Sequence, residues 1–115
     1  MRKRPHRAGL PIAAAAAVGA LGAASAGTPQ VPTRHAVEMR GIGFHPDTLR
    51  VARGDTVVWI NRDIVPHTAT SSRKSDWNTG TIAQGDSGRY VAGRKGTESY
   101  SCLLHPTMRG ILIVR

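Results

Sequence analysis

No stretch after residue 27 keeps a helical hydrophobic period over ten residues, and that limits what the chain can fold into more than any other feature. Short runs of β-branched and apolar residues recur instead at 36–39, 48–52, 56–61, 67–71, 89–92, 99–102 and 111–114. Gly, Pro, Asn and Asp punctuate nearly every gap between them. Thr56-Val-Val-Trp-Ile has the β-branched and aromatic enrichment of a strand, and Ile111-Leu-Ile-Val is continuous enough to be buried on both faces. About seven or eight short strands in so few residues predict an all-β chain, folded as an antiparallel β-sandwich. Residues 72–87 are the least regular part and read as a long excursion, with a short strand near 81–83 and Trp77 as its packing anchor.

The N-terminus reads as a targeting segment. Arg2, Lys3, Arg4 and Arg7 precede an apolar run from Leu10 to Ala24, and Ala24-Ser25-Ala26 supplies small residues for cleavage. This is the order of a secretory signal peptide over residues 1–26. An uncleaved anchor helix is the alternative, but alanine dominance with Pro11, Gly19 and Gly22 makes the run weakly apolar for a stable span. Residues 27–34, with Pro29 and Pro32, then form a flexible leader, and 35–115 form one domain. The expected location is periplasmic or secreted, without stable membrane insertion after cleavage.

Of the 115 residues, roughly 89 would remain, enough for one modest core and too few for a second domain or a deep substrate cavity. The formal charge of +9 would fall to +5 once the four N-terminal cations leave. The remaining arginines are scattered, and no dense basic stripe or known motif points to nucleic acid. One cysteine cannot form an internal disulfide, so a lone thiol in an oxidising compartment needs protection or a partner. Metal ligation would protect it; a buried inert thiol or an intermolecular disulfide are the alternatives.

The cysteine stands in Cys102-Leu-Leu-His105-Pro-Thr-Met108. A thiolate, an imidazole and a thioether at that spacing suit a soft metal ion, copper above all. His67, in Val-Pro-His-Thr-Ala-Thr, is the candidate for a second imidazole. Two histidines, one cysteine and one methionine are the donor set of a blue-copper site. Taken singly, His67 reads as a surface or core histidine and Met108 as a core residue; the combination is what favours a site. Cys102 ends one expected strand and Met108 nearly begins the next, so the loop can sit at one end of a sandwich. Sequence alone does not place the His67 strand beside it. His35 and His45 read as ordinary surface residues, and Asp55 as a turn residue before a strand.

From Gly43 to the C-terminus the chain resembles the cupredoxins. The resemblance lies in Phe44-His-Pro-Asp-Thr-Leu-Arg-Val-Ala-Arg-Gly-Asp-Thr-Val-Val-Trp-Ile-Asn-Arg-Asp, then Pro66-His67, then Tyr100-Ser-Cys102. The Cys-x-x-His-x-x-Met spacing, followed by Arg-Gly and an apolar strand, is similar to that of the amicyanins. The resemblance implies a Greek-key sandwich holding one copper ion that cycles between Cu(I) and Cu(II). It assigns His67, Cys102 and His105 as strong ligands and Met108 as the weak axial one. It also implies that His105 lies nearest the surface, where Leu103, Leu104, Pro106 and Pro66 would form an apolar patch for redox partner proteins.

Two positions depart from the amicyanin pattern. Thr68 stands where those chains usually have asparagine, and its hydroxyl is expected to take part of the bridging role to the ligand loop. Leu104 stands where they tend to have proline and keeps its backbone N–H, which is expected to donate a further hydrogen bond to the Cys102 sulfur. The function this favours is a small monomeric electron carrier. Copper storage or delivery without electron traffic is the alternative. An oxidase or reductase would need further histidine-rich metal sites, and the sequence has no His-x-His pair, so catalysis by this chain is not expected.

Overall fold

The computed structural model describes residues 31–73 and 76–115, together with the isolated positions 2, 3, 9, 11 and 19. The expected signal segment and the first half of the leader otherwise lie outside the described residues. Eight strands follow one another: β1 (Arg34–Met39), β2 (Phe44–His45), β3 (Thr48–Val51), β4 (Thr56–Asn61), β5 (Thr70–Ser71), β6 (Ser87–Val91), β7 (Gly96–Ser101) and β8 (Arg109–Val114). They form two four-stranded sheets, ordered β2-β1-β4-β6 and β3-β8-β7-β5. No helix among the described residues is long and apolar enough to cross a membrane.

The β-sandwich expected from the strand pattern is present, with sheets that are mixed rather than wholly antiparallel. β1 runs parallel to β4, and β3 runs parallel to β8, so each sheet carries one parallel pair. Parallel neighbours need a connection that crosses over, and their pairing is invisible to a local pattern. β4 has the bounds read from the sequence, because Thr56-Val-Val-Trp-Ile-Asn offers β-branched and aromatic side chains for both faces. The strand expected over 67–71 pairs continuously only at Thr70 and Ser71; His67 makes an isolated bridge to Ile82, inside the excursion. β2, only two residues long, carried no detectable pattern.

Between the sheets lies a core of Val37, Met39, Phe44, Val51, Val57, Trp59, Ala69, Leu112 and Val114, all nearly inaccessible to solvent. Trp77 packs as an anchor: its ring stacks on Trp59 at 5.3 Å and on Tyr90 at 4.6 Å, and its indole N–H donates to Glu98 at 2.8 Å. Removing a ring so buried as Trp59 costs about 3–5 kcal/mol. Two glycines leave room for large neighbours. A Cβ on Gly110 would collide with the Tyr100 ring, and one on Gly88 would lie 2.8 Å from Ile82 Cδ1. Burial pushes the Tyr100 hydroxyl up to about 12, so it stays neutral in the interior. These contacts hold the excursion against the first sheet and bring Ile82 to His67.

At one end of the sandwich Asp55 gathers the start of β1 and the turn before β4. Its carboxylate accepts the Thr33 amide at 2.8 Å, the Ala52 amide at 2.9 Å and the His35 ring at 2.9 Å. Hydrogen bonds from Thr33, His35 and Ala52 hold this carboxyl down at about 2. Asp55 is the turn residue expected, but His35 is half-buried rather than an ordinary surface residue. The parallel pairing of β1 and β4 carries it to Asp55, a contact no local reading supplies. His45 is exposed, as expected, with its ring 3.1 Å from the Arg40 carbonyl oxygen.

Candidate metal centre

At the opposite end, β4 runs into the loop that carries His67. Asn61 organises this loop from a fully buried position: its side-chain amide donates to the carbonyls of Val65 at 2.8 Å and Ile82 at 2.9 Å, and its oxygen accepts the Asp63 amide at 2.9 Å. His67 is then locked by its own backbone, donating to Ile82 at 3.1 Å and accepting from it at 2.7 Å. From His67 the chain passes through Thr68 and Ala69 into β5, which pairs with β7, and Cys102 follows β7 directly. Topology thus supplies the adjacency that the sequence left open.

The loop from Cys102 to Met108 closes on itself. Cys102 donates its amide to the Met108 carbonyl at 3.1 Å, His105 to the Cys102 carbonyl at 3.3 Å, and Met108 to the His105 carbonyl at 2.9 Å. Two successive tight turns result, and the short spacing of the motif is what permits them. Met108 is buried and directly precedes β8.

Three donor atoms converge. His67 Nδ1 and His105 Nδ1 face each other at 3.2 Å, and the Cys102 sulfur lies 3.8 Å from the first and 3.7 Å from the second. The point equidistant from such a triangle is about 2.1 Å from each atom, within the usual range of metal–imidazole bonds and close to that of metal–thiolate bonds. His67 and Cys102 are fully buried, while His105 is only partly so. His67, Cys102 and His105 therefore form a group that could hold one soft metal ion, and this donor set suits copper.

Asp63 decides which nitrogen of His67 points inward. Its carboxylate is 2.7 Å from His67 Nε2, so the ring donates there and Nδ1 keeps its lone pair for the centre. The same carboxylate is cradled by the amides of Gly41 at 2.7 Å and Ile42 at 2.9 Å. Both residues have positive φ, 58° and 53°, so consecutive N–H groups turn toward the anion. Burial pushes the Asp63 carboxyl up, but hydrogen bonds from His67, Ile42 and Gly41 outweigh it and leave it below the usual carboxylate range. Asp63 and Asn61 were missed from sequence. The four-residue step from Asp63 to His67 was the available signal, since ligating histidines commonly donate their other nitrogen to a carboxylate.

Thr68 grips the cysteine from two sides. Its amide donates to the Cys102 sulfur at 3.3 Å, and its hydroxyl accepts the Leu103 amide at 2.9 Å, the bridging role expected of it. The further bond expected from the Leu104 amide to the sulfur is absent among the described residues. Leu104 sits on the outward side of the turn, half exposed, and the sulfur's backbone donor comes from Thr68 instead.

No family model matches the sequence. Among solved structures, the chain is similar to the reduced state of an amicyanin mutant, with 27% identity and a TM-score of 0.65 over 71% of this chain and 82% of that one. A second amicyanin mutant, solved with Cu(I), matches at 26% identity and a TM-score of 0.65 over the same shares, 71% and 82%. A purple cupredoxin from Nitrosopumilus maritimus matches at 24% identity and a TM-score of 0.63, over 70% of this chain and 99% of that one. Two mixed four-stranded sheets, a His, Cys and His group at one end and these likenesses agree: the chain has the cupredoxin fold, with amicyanin as its relative within it.

Proposed function

We propose that this chain is an exported electron carrier that holds one copper ion between His67, Cys102 and His105, with the Met108 thioether as a weak axial ligand. The observation that carries the reading is the triangle of two ring nitrogens and one sulfur, spaced for bonds to a single ion. Bound copper supplies a one-electron couple, and the donors are acceptable to both oxidation states. The amicyanin structures that this chain resembles include a Cu(I) form and an oxidized form. Asp63, Thr68 and the closed Cys102 loop hold the donors in place beforehand, so little needs to rearrange when the electron moves.

His105 is the ligand nearest solvent, and its ring edge is the proposed exit for the electron. Leu103 and Leu104 are 45% and 50% exposed beside it, and Pro66 and Pro106 are exposed too. Ile64, 83% exposed in the His67 loop, extends this apolar surface. Such a face suits brief docking of redox partner proteins. The carrier works as a monomer in the periplasm or outside the cell, after residues 1–26 are removed. Copper(II) added to the purified chain and to Cys102→Ser tests the central reading: the wild type develops an intense visible thiolate-to-copper band and the variant does not. A colourless wild type would overturn it.

A further inference from the structure

Two buried threonines connect the cysteine loop to the excursion, and the direction of each hydrogen bond along the way is fixed. The Leu103 amide can only donate, so Thr68 Oγ1 accepts from it at 2.9 Å. Thr70 has one hydroxyl hydrogen and Asn78 Oδ1, at 3.1 Å, takes it, so between the two threonines, 3.0 Å apart, Thr68 is the donor. The Gly80 amide donates to that same Asn78 atom at 2.8 Å, which identifies it as the amide oxygen and leaves no ambiguity at the far end. An N–H that can only donate stands at one end and a carbonyl oxygen that can only accept at the other. Each hydroxyl that gives its hydrogen away becomes a better acceptor, so the bonds in such a row strengthen one another.

We propose that Asn78, Thr70 and Thr68 form a relay that positions the Cys102–Leu103 peptide plane, which makes Asn78 a positioning residue for a centre it does not touch. That plane carries the Leu103 N–H on one edge and the Cys102 carbonyl on the other, and the carbonyl accepts the His105 amide. Rotating the plane would move the cysteine and His105 together. The hydroxyls of Thr68 and Thr70 are buried, so each needs its partner; deleting one link leaves the next hydroxyl unsatisfied. The excursion is therefore a brace for the ligand loop. Its effect on the metal rests on the copper reading, but its effect on the Leu103 amide does not.

Hydrogen exchange at the Leu103 amide in the metal-free chain tests the relay directly. Thr70→Val speeds this exchange about tenfold, Asn78→Ala speeds it by a smaller factor, and Thr70→Ser leaves it as in the native chain. In the copper-loaded protein, Thr70→Val shifts the reduction potential and the relative intensities of the thiolate-to-copper bands, and Thr70→Ser restores both. Unchanged Leu103 exchange in Thr70→Val would overturn the relay, and faster exchange with an unaltered copper spectrum would overturn its positioning role. Should Thr70→Val fail to fold, Asn78→Ala reads the same amide from the exposed end. If no copper binds at all, the proposed function fails, while the exchange measurement still decides whether the relay exists.

Discussion

Each end of this sandwich holds a histidine against an aspartate, yet among the described residues only one end gathers donors that could hold a metal. His67 meets Asp63 at 2.7 Å and His35 meets Asp55 at 2.9 Å. Around His67 the second ring nitrogen faces another imidazole and the Cys102 sulfur, and the ring is wholly buried. His35 has no such company among the described residues: its ring is a quarter exposed, and its aspartate is occupied with tying the amides of Thr33 and Ala52. A histidine–aspartate pair is thus a neutral device. At one end it aims a free nitrogen at two further donors that could share a metal, and at the other it is a structural clamp because of what converges on the carboxylate.

Changing the histidines gives the largest contrast. His67→Ala should abolish the visible copper band in a Cu(II) titration, while His35→Ala should leave it intact; loss of the band in both would show that the ends are not independent. Changing the aspartates should separate them further. Asp63→Ala is expected to weaken copper binding about 10- to 100-fold in a chelator competition, because His67 loses its orientation. Asp55→Ala should leave copper affinity unchanged in the same assay and lower the urea midpoint at neutral pH.

The two ends should also respond differently to acid. The Asp55 carboxyl is held at about 2, against 3.8 for the free group, so it stabilises the fold above pH 3.8. That contribution is lost as the pH falls from there through about 2. Urea titrations of the metal-free chain should show the midpoint of the native protein converging on that of Asp55→Asn across this window, and parallel curves would rule out the clamp. At the surface the expected effect is smaller. Leu104→Asp should slow electron exchange with a partner about tenfold without releasing copper, whereas Val91→Asp, 57% exposed at the far end, should not change the rate.

Much of this was legible in the chain, for physical reasons that can be named. β4 could be read to the residue because strand patterning is local, and the cysteine loop could be read because all three of its donors lie within seven residues. The parallel pairings could not, since β1 and β4 are brought together by the whole sandwich. The contacts of Asn61, Asp63, Thr70 and Asn78 were hidden for the same reason. Each is a small polar residue in or near a loop, unremarkable until topology sets a partner in front of it. The expected Leu104 bond failed because a free amide in the right sequence position says nothing of which way the turn points it.

The aromatic stack has a use beyond stability. All five aromatic side chains of the protein, Phe44, Trp59, Trp77, Tyr90 and Tyr100, join in one connected set of ring contacts. Ultraviolet light absorbed by either tyrosine or by Trp77 can therefore pass to Trp59, which is sealed from solvent. Its emission should be that of an indole in oil, moving to longer wavelength when the chain unfolds. Tyr100, in contact with Trp59, lies two residues before Cys102, so copper bound there should dim that glow. The aromatic set is thus an optical gauge that should report folding by colour and, with copper bound as proposed, metal uptake by brightness.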